Sequence, residues 1–272
     1  MVCMVSRVPG MNGLLLKIRR GETPFYRRLR SMGAAVQSSA LPVPRLLHPV
    51  LRLIYDTLHG LAVMGRGAYG FFFCTPLFTA RCECAGKRLR VARLPFIVGH
   101  TRIHVGSDVN FYGKVSIHSG RIFDNPTLKI GDRAVIGHGV VFVVNKEIAI
   151  EDDVMVAGGC VFADSDAHPR DPELRAKHLP PAPEEVKPIR ICRSAWISGG
   201  AQIRKGVTVG EGAIVGVNSV VLADVPAHCI VMGNPARVVG FAGGAPKAAE
   251  TIATETAARS GDGWHERTSI ED

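Results

Sequence analysis

The segment best suited to chemistry runs from Val161 to Arg175 and reads VFADSDAHPRDPELR. His168 stands two residues after Asp166 and four after Asp164. A neutral imidazole accepts a proton near pH 7, so His168 could serve as a general base. The competing interpretation is a surface histidine in a polar loop, with the two carboxylates either orienting its ring or only solvating the loop. His178, ten residues further on, is a rival without the acidic and proline context.

The residues around this segment repeat every six positions. From Ile191 onward each sixth residue is aliphatic, and the same register occurs around Ile130 and Ile150 and more loosely from Val105. A period of six fits neither a helix nor one long alternating strand. It is typical of a chain that makes a short strand, turns and repeats, so that each coil stacks on the last. An ordinary sandwich would show irregular spacings, so we predict an all-β solenoid, a parallel β-helix with Gly, Asn and Asp at its corners.

Three motifs in the second half of the chain, AWISGGAQI, GVTVGEGAIVGVNSVV and GNPARVV, follow in that order. With them, the sequence from about Arg81 to Gly240 resembles the hexapeptide-repeat acyltransferases, especially the maltose/galactoside O-acetyltransferase branch and the polysaccharide-biosynthesis acetyltransferases. The resemblance implies a left-handed coil with three six-residue faces and a homotrimer. It also implies acetyl transfer from acetyl-CoA to a sugar hydroxyl, on a glycolipid or polysaccharide precursor.

The register is interrupted once. If a coil has three six-residue faces, or about 18 residues, the equivalent of Ile150 should be residue 168, but the register resumes only at Ile191. The strands of a β-helix are locked between neighbours, so an insertion fits only at a corner. We therefore expect residues 164–188 to leave the coil, and their prolines argue against a helix or a central strand. Such excursions are commonly functional.

The resemblance assigns roles to individual residues. The family places its general base in a D-x-H-P segment of the equivalent loop, which here gives His168, with Asp166 beside it. Its oxyanion donor is a backbone N–H in a W-I-G-S turn, which here reads WISG and gives Gly199. Asn145 matches an asparagine that hydrogen-bonds the acceptor, and its alternative is a corner asparagine with positive φ. No acyl-enzyme is required, so no cysteine is assigned as nucleophile.

Acetyl-CoA is expected along the outside of the C-terminal coils. Val217 and Ser219 in GVNSVV would neighbour the pantetheine, and Arg237 in GNPARVV would meet a phosphate. Trp196 is either a core residue or a wall beside the pantetheine. The chain departs from the T-K-D of relatives at Ala223, where a lysine near the phosphates is missing.

Metal binding is not expected. The seven cysteines are an odd number without a regular framework, which favours free thiols in a reducing compartment. The C-x-C of Cys82 and Cys84 lacks the second pair of a zinc site. Two rival functions remain open: a γ-type carbonic anhydrase-like metal enzyme and a non-catalytic β-helix scaffold. The first would use three of the histidines His100, His104, His118 and His138.

The basic charge is concentrated in residues 1–95, which carry 15 Lys/Arg and only 3 Asp/Glu. Within them, RLLHPVLRLIYDTLHGLAV has five apolar residues at helical spacing. They are Leu46, Val50, Leu53, Ile54 and Leu58. This pattern predicts an amphipathic helix that lies on an anionic membrane surface, and the alternative is a helical pair packed on the base of the β-helix.

Three regions are predicted from these patterns. Residues 1–90 form a basic, partly helical region, 91–240 the β-helix domain, and 241–272 a disordered tail. No secretory signal is recognised, and no module or interleaved aromatics indicate nucleic acid as a partner. The expected location is the cytoplasm, peripheral on the inner face of the membrane.

Overall fold

The computed structural model describes residues 11–38 and 43–243, in two compact units divided between Leu61 and Ala62. The helices are α1 (Met11–Arg20), α2 (Pro24–Ser38), α3 (His48–Tyr69), α4 (Thr75–Arg81) and α5 (Pro172–Ala176). Three short helical segments accompany them: the 3-10 turns Arg45–Leu47 and Pro183–Glu185, and the π-helical turn Gly70–Cys74 between α3 and α4. The predicted disordered tail lies outside the described residues, apart from residues 241–243.

After Arg81 the chain forms twenty short strands. They are β1 (Cys84–Ala85), β2 (Arg90–Val91), β3 (Phe96–Val98), β4 (Arg102–Val105), β5 (Asn110–Phe111), β6 (Ser116–His118), β7 (Thr127–Ile130), β8 (Val135–Ile136), β9 (Val141–Val143), β10 (Glu147–Ile150), β11 (Met155–Val156), β12 (Val161–Ala163), β13 (Ile189–Ile191), β14 (Trp196–Ile197), β15 (Gln202–Arg204), β16 (Thr208–Val209), β17 (Ile214–Val215), β18 (Val220–Val221), β19 (Cys229–Gly233) and β20 (Ala236–Phe241).

Up to β18, every third strand joins the same sheet. Sheet 1 contains β1, β4, β7, β10, β13 and β16, sheet 2 contains β2, β5, β8, β11, β14, β17, β19 and β20, and sheet 3 contains β3, β6, β9, β12, β15 and β18. The described strands pair in parallel, except that β20 runs antiparallel to β19. The three sheets are the faces of a left-handed parallel β-helix, which confirms the predicted fold class.

The inward-facing residues form the predicted aliphatic ladder. Every member of the six-residue series that begins at Ile191 is buried, with at most 2% of its surface exposed. The small residues four places later, such as Ala195, are buried as well. Ile150 pairs with Ile191, so the register resumes at the residue that the sequence predicts. On sheet 3, the rings of Phe142 and Phe162 stack with their centroids 5.1 Å apart.

The coil length differs from the expected 18 residues before the excursion. Paired positions are 20 residues apart for Cys84 and His104, 25 for Val105 and Ile130, 20 for Ile130 and Ile150, and 18 for Ile191 and Val209. The prediction of one uniform coil length was therefore wrong, although the inward register is preserved in every coil.

Two features vary: the connection from sheet 3 to sheet 1, and the sheet 1 strand that follows it, which has four residues in β4, β7 and β10 but two in β16. Up to β18, every connection from sheet 1 to sheet 2 and from sheet 2 to sheet 3 has four residues. The connections from sheet 3 to the next strand of sheet 1, which we call the third corner, are 99–101, 119–126, 144–146, 164–188 and 205–207. Both insertions, 119–126 and 164–188, therefore leave the β-helix along the same edge.

The excursion at 164–188 contains a short helix, which the prolines were expected to exclude. Pro172 is the first residue of α5, where its missing N–H is not needed. Asp171 precedes it and its carboxylate accepts the backbone N–H of Glu173 at 2.7 Å and of Leu174 at 3.3 Å. The prediction was wrong because a proline breaks a helix only in its interior.

The corners also accept residue types that were not expected. The third residue of each connection from sheet 1 to sheet 2 has a positive φ, and Arg88, Arg133 and Ser194 are among these residues. Arg133 uses this conformation to reach Asp153 of the next coil, with Nε 2.6 Å from the carboxylate. Glycine, asparagine or aspartate was predicted at the corners, and Asp153 agrees with this, whereas Arg133 takes such a position as the cation of an ion pair between coils.

A continuous helix precedes the strands. Arg45–Arg81 is the helix in the described residues that is long and apolar enough to cross a membrane by length and composition, and 17% of its apolar window is buried. The five residues predicted on its apolar face are all exposed, and α3 buries no side chain. The last part of this helix packs on the coils: Cys74 and Phe78 are buried, and the rings of Phe78 and Phe111 lie 5.3 Å apart.

Candidate functional site

His168 lies at the start of the excursion, five residues after the end of β12. Its side chain is exposed, between Ala167, which has a φ of 65°, and the buried Pro169. Among the described residues the imidazole has no hydrogen-bond partner, so both ring nitrogens are free for a substrate. His178 is also exposed and has a φ of 55°, and it lies beyond α5.

The excursion is closed at its base by backbone hydrogen bonds. The N–H of Lys187 donates to the carbonyl oxygen of Asp164 at 3.0 Å, which joins the two ends of the loop. The N–H of Gly206, in the next coil, donates to the carbonyl oxygen of Lys187 at 3.1 Å. The two ends of the loop that carries His168 are thus joined to each other and to the next coil.

Asp164 fastens the loop to the coil below. Its carboxylate is fully buried and accepts the backbone N–H groups of Asn145 at 2.8 Å, Lys146 at 2.6 Å and Glu147 at 3.1 Å. Burial raises the pKa of the Asp164 carboxyl, although these hydrogen bonds act in the opposite direction. Asp164 is therefore a structural acceptor at the third corner and does not contact the imidazole.

The Asn145 side chain is used within the chain. Its Nδ2 donates to Ser165 Oγ at 2.6 Å and to Asp164 at 3.2 Å, and its Oδ1 accepts the N–H of Gly120 at 3.1 Å. A Cβ on Gly120 would lie 2.1 Å from that oxygen, so glycine is required there. The alternative of a positive φ at Asn145 was wrong, because its φ is not positive. The structure places Asn145 as a tie between three coils, with its amide already satisfied.

Asp166 contacts two cations instead of the imidazole. Its carboxylate accepts Arg204 Nη2 at 2.9 Å and Lys205 Nζ at 2.6 Å, both on the coil above. The hydrogen bond from Lys205, followed by that from Arg204, holds the pKa of Asp166 below its usual value. The sequence analysis missed Arg204 and Lys205, since they are 38 and 39 residues away in the chain.

The residues expected to bind acetyl-CoA lie at another edge. Trp196 is on the outer face of sheet 2 between Met155 and Ile214 and is 46% exposed, so the core interpretation was wrong. Gly199 and Val217 occupy equivalent positions in successive corners between sheets 2 and 3. In the described residues, neither backbone N–H of this pair donates a hydrogen bond. Each could therefore bind an oxyanion or a carbonyl.

Two further residues of the predicted donor site differ in accessibility. Ser219 is fully buried, and its Oγ accepts the N–H of Gly233 at 3.1 Å, so its side chain supports the hairpin of β19 and β20. Arg237 is exposed on β20, opposite Met232, and its guanidinium contacts only the carbonyl of Ala236 among the described residues. Arg237 is free to meet an anion.

A single chain does not bring the two halves of the predicted site together. His168 lies in the third corner, at one edge of sheet 3, and Gly199 precedes β15, at its other edge. The three residues of β15 alone separate these edges by about 10 Å. One chain therefore offers a base on one edge and free N–H donors on the other.

The histidines of the carbonic anhydrase alternative are dispersed. His104 is on sheet 1 and His118 on sheet 3, whereas His100 and His138 lie in corners. Within residues 11–38 and 43–243, no three His, Cys, Asp or Glu side chains are grouped so as to hold a metal ion.

Four of the described cysteines have a raised pKa, so their thiols are poorly ionised near neutral pH. Burial raises the pKa of Cys82 to about 11, and it also raises the pKa values of Cys160, Cys192 and Cys229. A thiol is a nucleophile only as the thiolate. These four cysteines therefore offer no activated nucleophile.

The chain was compared with known proteins, and no family model matches it. It is 33% identical over 110 residues to a Saccharomyces cerevisiae protein named "putative acetyltransferase", covering 40% of this chain and 54% of that protein. It is 29% identical over 157 residues to a "probable acetyltransferase" of Mycobacterium tuberculosis, covering 57% of this chain and 48% of that protein. The chain thus spans about half the length of these curated relatives.

A solved structure shares the fold. A mutant of AntD, an N-acyltransferase from Bacillus cereus crystallised with dTDP and coenzyme A, has a TM-score of 0.50 and 16% sequence identity. The match covers 70% of this chain and 98% of that one.

Proposed function

We propose that this chain is a hexapeptide-repeat acyltransferase and that it transfers an acetyl group from acetyl-CoA to a sugar hydroxyl. The observation that carries the proposal is the imidazole of His168, which has no hydrogen-bond partner in residues 11–38 and 43–243 and is held at the base of the 25-residue excursion of the β-helix. The acetyltransferase names of the two curated relatives and the coenzyme A bound to AntD support the acyl donor.

The mechanism follows from the free groups. A ring nitrogen of His168 takes the proton of the acceptor hydroxyl while the oxygen attacks the thioester carbonyl. The N–H of Gly199 donates to the oxyanion of the tetrahedral intermediate. When the carbon–sulfur bond breaks, the imidazolium returns the proton to the departing thiolate, so the products are the acetyl ester and free CoA. Trp196 and Val217 would flank the pantetheine, and Arg237 would meet a phosphate.

A homotrimer would complete this site. In each chain the base and the oxyanion donor lie on opposite edges of sheet 3, so the base of one subunit needs the donor edge of another. The outer face of sheet 3 supports such packing because it is largely apolar. Its apolar residues that are not buried are Phe96, Val98, Val141, Val143, Val161 and Val220.

The acceptor we propose is a glycolipid or polysaccharide precursor on the inner face of a membrane, reached from the cytoplasm. Support comes from the exposed apolar face of α3 and from the excess of Lys and Arg in residues 1–95. Arg45, Arg52 and Arg66 fall on the side of the helix opposite that face, which favours a helix lying in the interface over one that crosses it.

The test is acetyl-CoA turnover, followed as release of free thiol with a membrane glycolipid extract as acceptor. His168→Ala should lose most of the turnover while CoA binding, followed by calorimetry, stays unchanged. His178→Ala is the matched control and should keep the wild-type rate. Unchanged turnover in His168→Ala would contradict the assignment of the base. Wild-type protein that binds no CoA would instead favour the scaffold function.

A further inference from the structure

The base of the excursion is held from two directions. Asp164 joins it to the coil below through three backbone N–H groups, and Asp166 joins it to the coil above through Arg204 and Lys205. Only Ala167 separates Asp166 from His168, and Pro169, which follows, is buried. The backbone that carries the imidazole is therefore short and fastened on both sides.

The conformation between these anchors is strained. Ala167 has a φ of 65°, which a residue with a Cβ rarely adopts. Its N–H donates to Ser165 Oγ at 3.3 Å, and that hydroxyl is itself fixed by Asn145. Such a conformation persists only where the surroundings enforce it, and strain of this kind is found at functional sites.

The contact with the cations is well defined. Lys205 Nζ and Arg204 Nη2 bind different oxygens of the Asp166 carboxylate, at 2.6 and 2.9 Å. The Lys205 side chain is only 16% exposed, unlike the freely solvated lysine of most surface ion pairs. The carboxylate is thus occupied by cations and is not available to the imidazole.

We infer that Asp166 is a positioning residue for His168, acting through Lys205 and Arg204, and not a partner of the imidazole. The inference rests on the proposed function, since it concerns the base of that reaction. Holding the loop against the coil above keeps the ring where the acceptor hydroxyl and the thioester must meet. A displacement of about 1 Å can lower a catalytic rate roughly 100-fold.

The test uses kinetics of Asp166→Asn, Lys205→Gln and the double variant. We expect each single variant to lower kcat about 10-fold or more, with the KM for acetyl-CoA unchanged because the donor edge is not touched. The double variant should be no slower than Asp166→Asn, since that change already weakens the contact that Lys205→Gln removes. Lys205→Arg, which keeps the positive charge, should retain most of the wild-type kcat that Lys205→Gln loses.

The matched control is Glu151→Gln. Glu151 and Arg190 form an ion pair at 2.6 Å across the same two coils, with the same separation of 39 residues as Asp166 and Lys205, but on sheet 1. This variant should keep the wild-type kcat. If Asp166→Asn fails to fold, as judged by its thermal transition, Lys205→Gln and Lys205→Arg carry the test alone.

Limited trypsin digestion tests the anchor without turnover. The excursion contains Arg170, Arg175 and Lys177, and cleavage there should be faster in Lys205→Gln than in Glu151→Gln. A Lys205→Gln variant with wild-type kcat and wild-type cleavage would overturn the inference. A wild-type protein without turnover would overturn the proposed function alone, because the digestion comparison does not depend on it.

Discussion

Asp164→Asn should destabilise the protein far more than the similar size of the two side chains suggests. The backbone N–H of Asn145 donates to both carboxylate oxygens, at 2.8 and 2.9 Å. One oxygen also accepts the side-chain amide of Asn145, and the other also accepts the N–H groups of Lys146 and Glu147. However the new amide is turned, its NH2 group faces at least one backbone donor in a buried site. A lost hydrogen bond to a charged group is worth about 1.5–3 kcal/mol, and an unsatisfied buried donor costs about 1–3 kcal/mol.

Because the groups around Lys146 and Glu147 are only partly buried, water can compensate some of this loss. We expect the free energy of unfolding to fall by about 2–4 kcal/mol, out of the roughly 5–15 kcal/mol of an ordinary domain. Urea unfolding followed by circular dichroism measures it, as a lower midpoint at an unchanged slope.

The matched control is Asp224→Asn. Asp224 also accepts a backbone N–H, that of Thr208 at 2.7 Å, but at an exposed corner. Water can replace this acceptor, so the loss should stay below about 1 kcal/mol. Equal shifts in the two variants would refute the argument that burial makes Asp164 important.

Three further outcomes are expected. Phe162→Ala should lower the free energy of unfolding by about 3–5 kcal/mol, because the ring is fully buried and stacked on Phe142; a loss below about 1 kcal/mol in urea unfolding would contradict this. Cys82, with its pKa raised to about 11, should be alkylated by iodoacetamide at pH 8 far more slowly than a free thiol, as mass spectrometry of quenched samples would show, and Cys82→Ser should keep the turnover. The lowered pKa of Asp166 means that its ion pairs stabilise the fold fully above the ordinary value of 3.8 and less as the pH falls below it. The stability difference between wild type and Asp166→Asn should therefore shrink in acid, and a constant difference down to pH 2 would be inconsistent with this.

The six-residue register could be predicted because burial repeats with the coil. The residues of the six-residue series that begins at Ile191 all point inward, so their regular spacing is visible in the sequence itself. The insertion at 119–126 could also have been found, because Val105 and Ile130 are 25 residues apart and keep the register. It was missed because that part of the repeat was matched only loosely.

The partners of the site residues could not be predicted from spacing. Asp166 meets Lys205 only because the excursion returns the chain to the coil directly above, and the length of the loop does not fix that contact. The use of Asn145 as a tie between coils depends likewise on which residues stack at the third corner. Such contacts arise from tertiary stacking and carry no local pattern.

The closed ends of the β-helix have a consequence for its solubility. Stacked parallel strands resemble the cross-β arrangement of fibrils, and an open last coil is a template on which another chain can add strands. Here the turn Gly70–Cys74 and α4 pack at the first coils, and β20 turns back against β19 at the last. A protease cut that released either cap would expose unpaired strand edges, so loss of the caps should make the protein polymerise end to end.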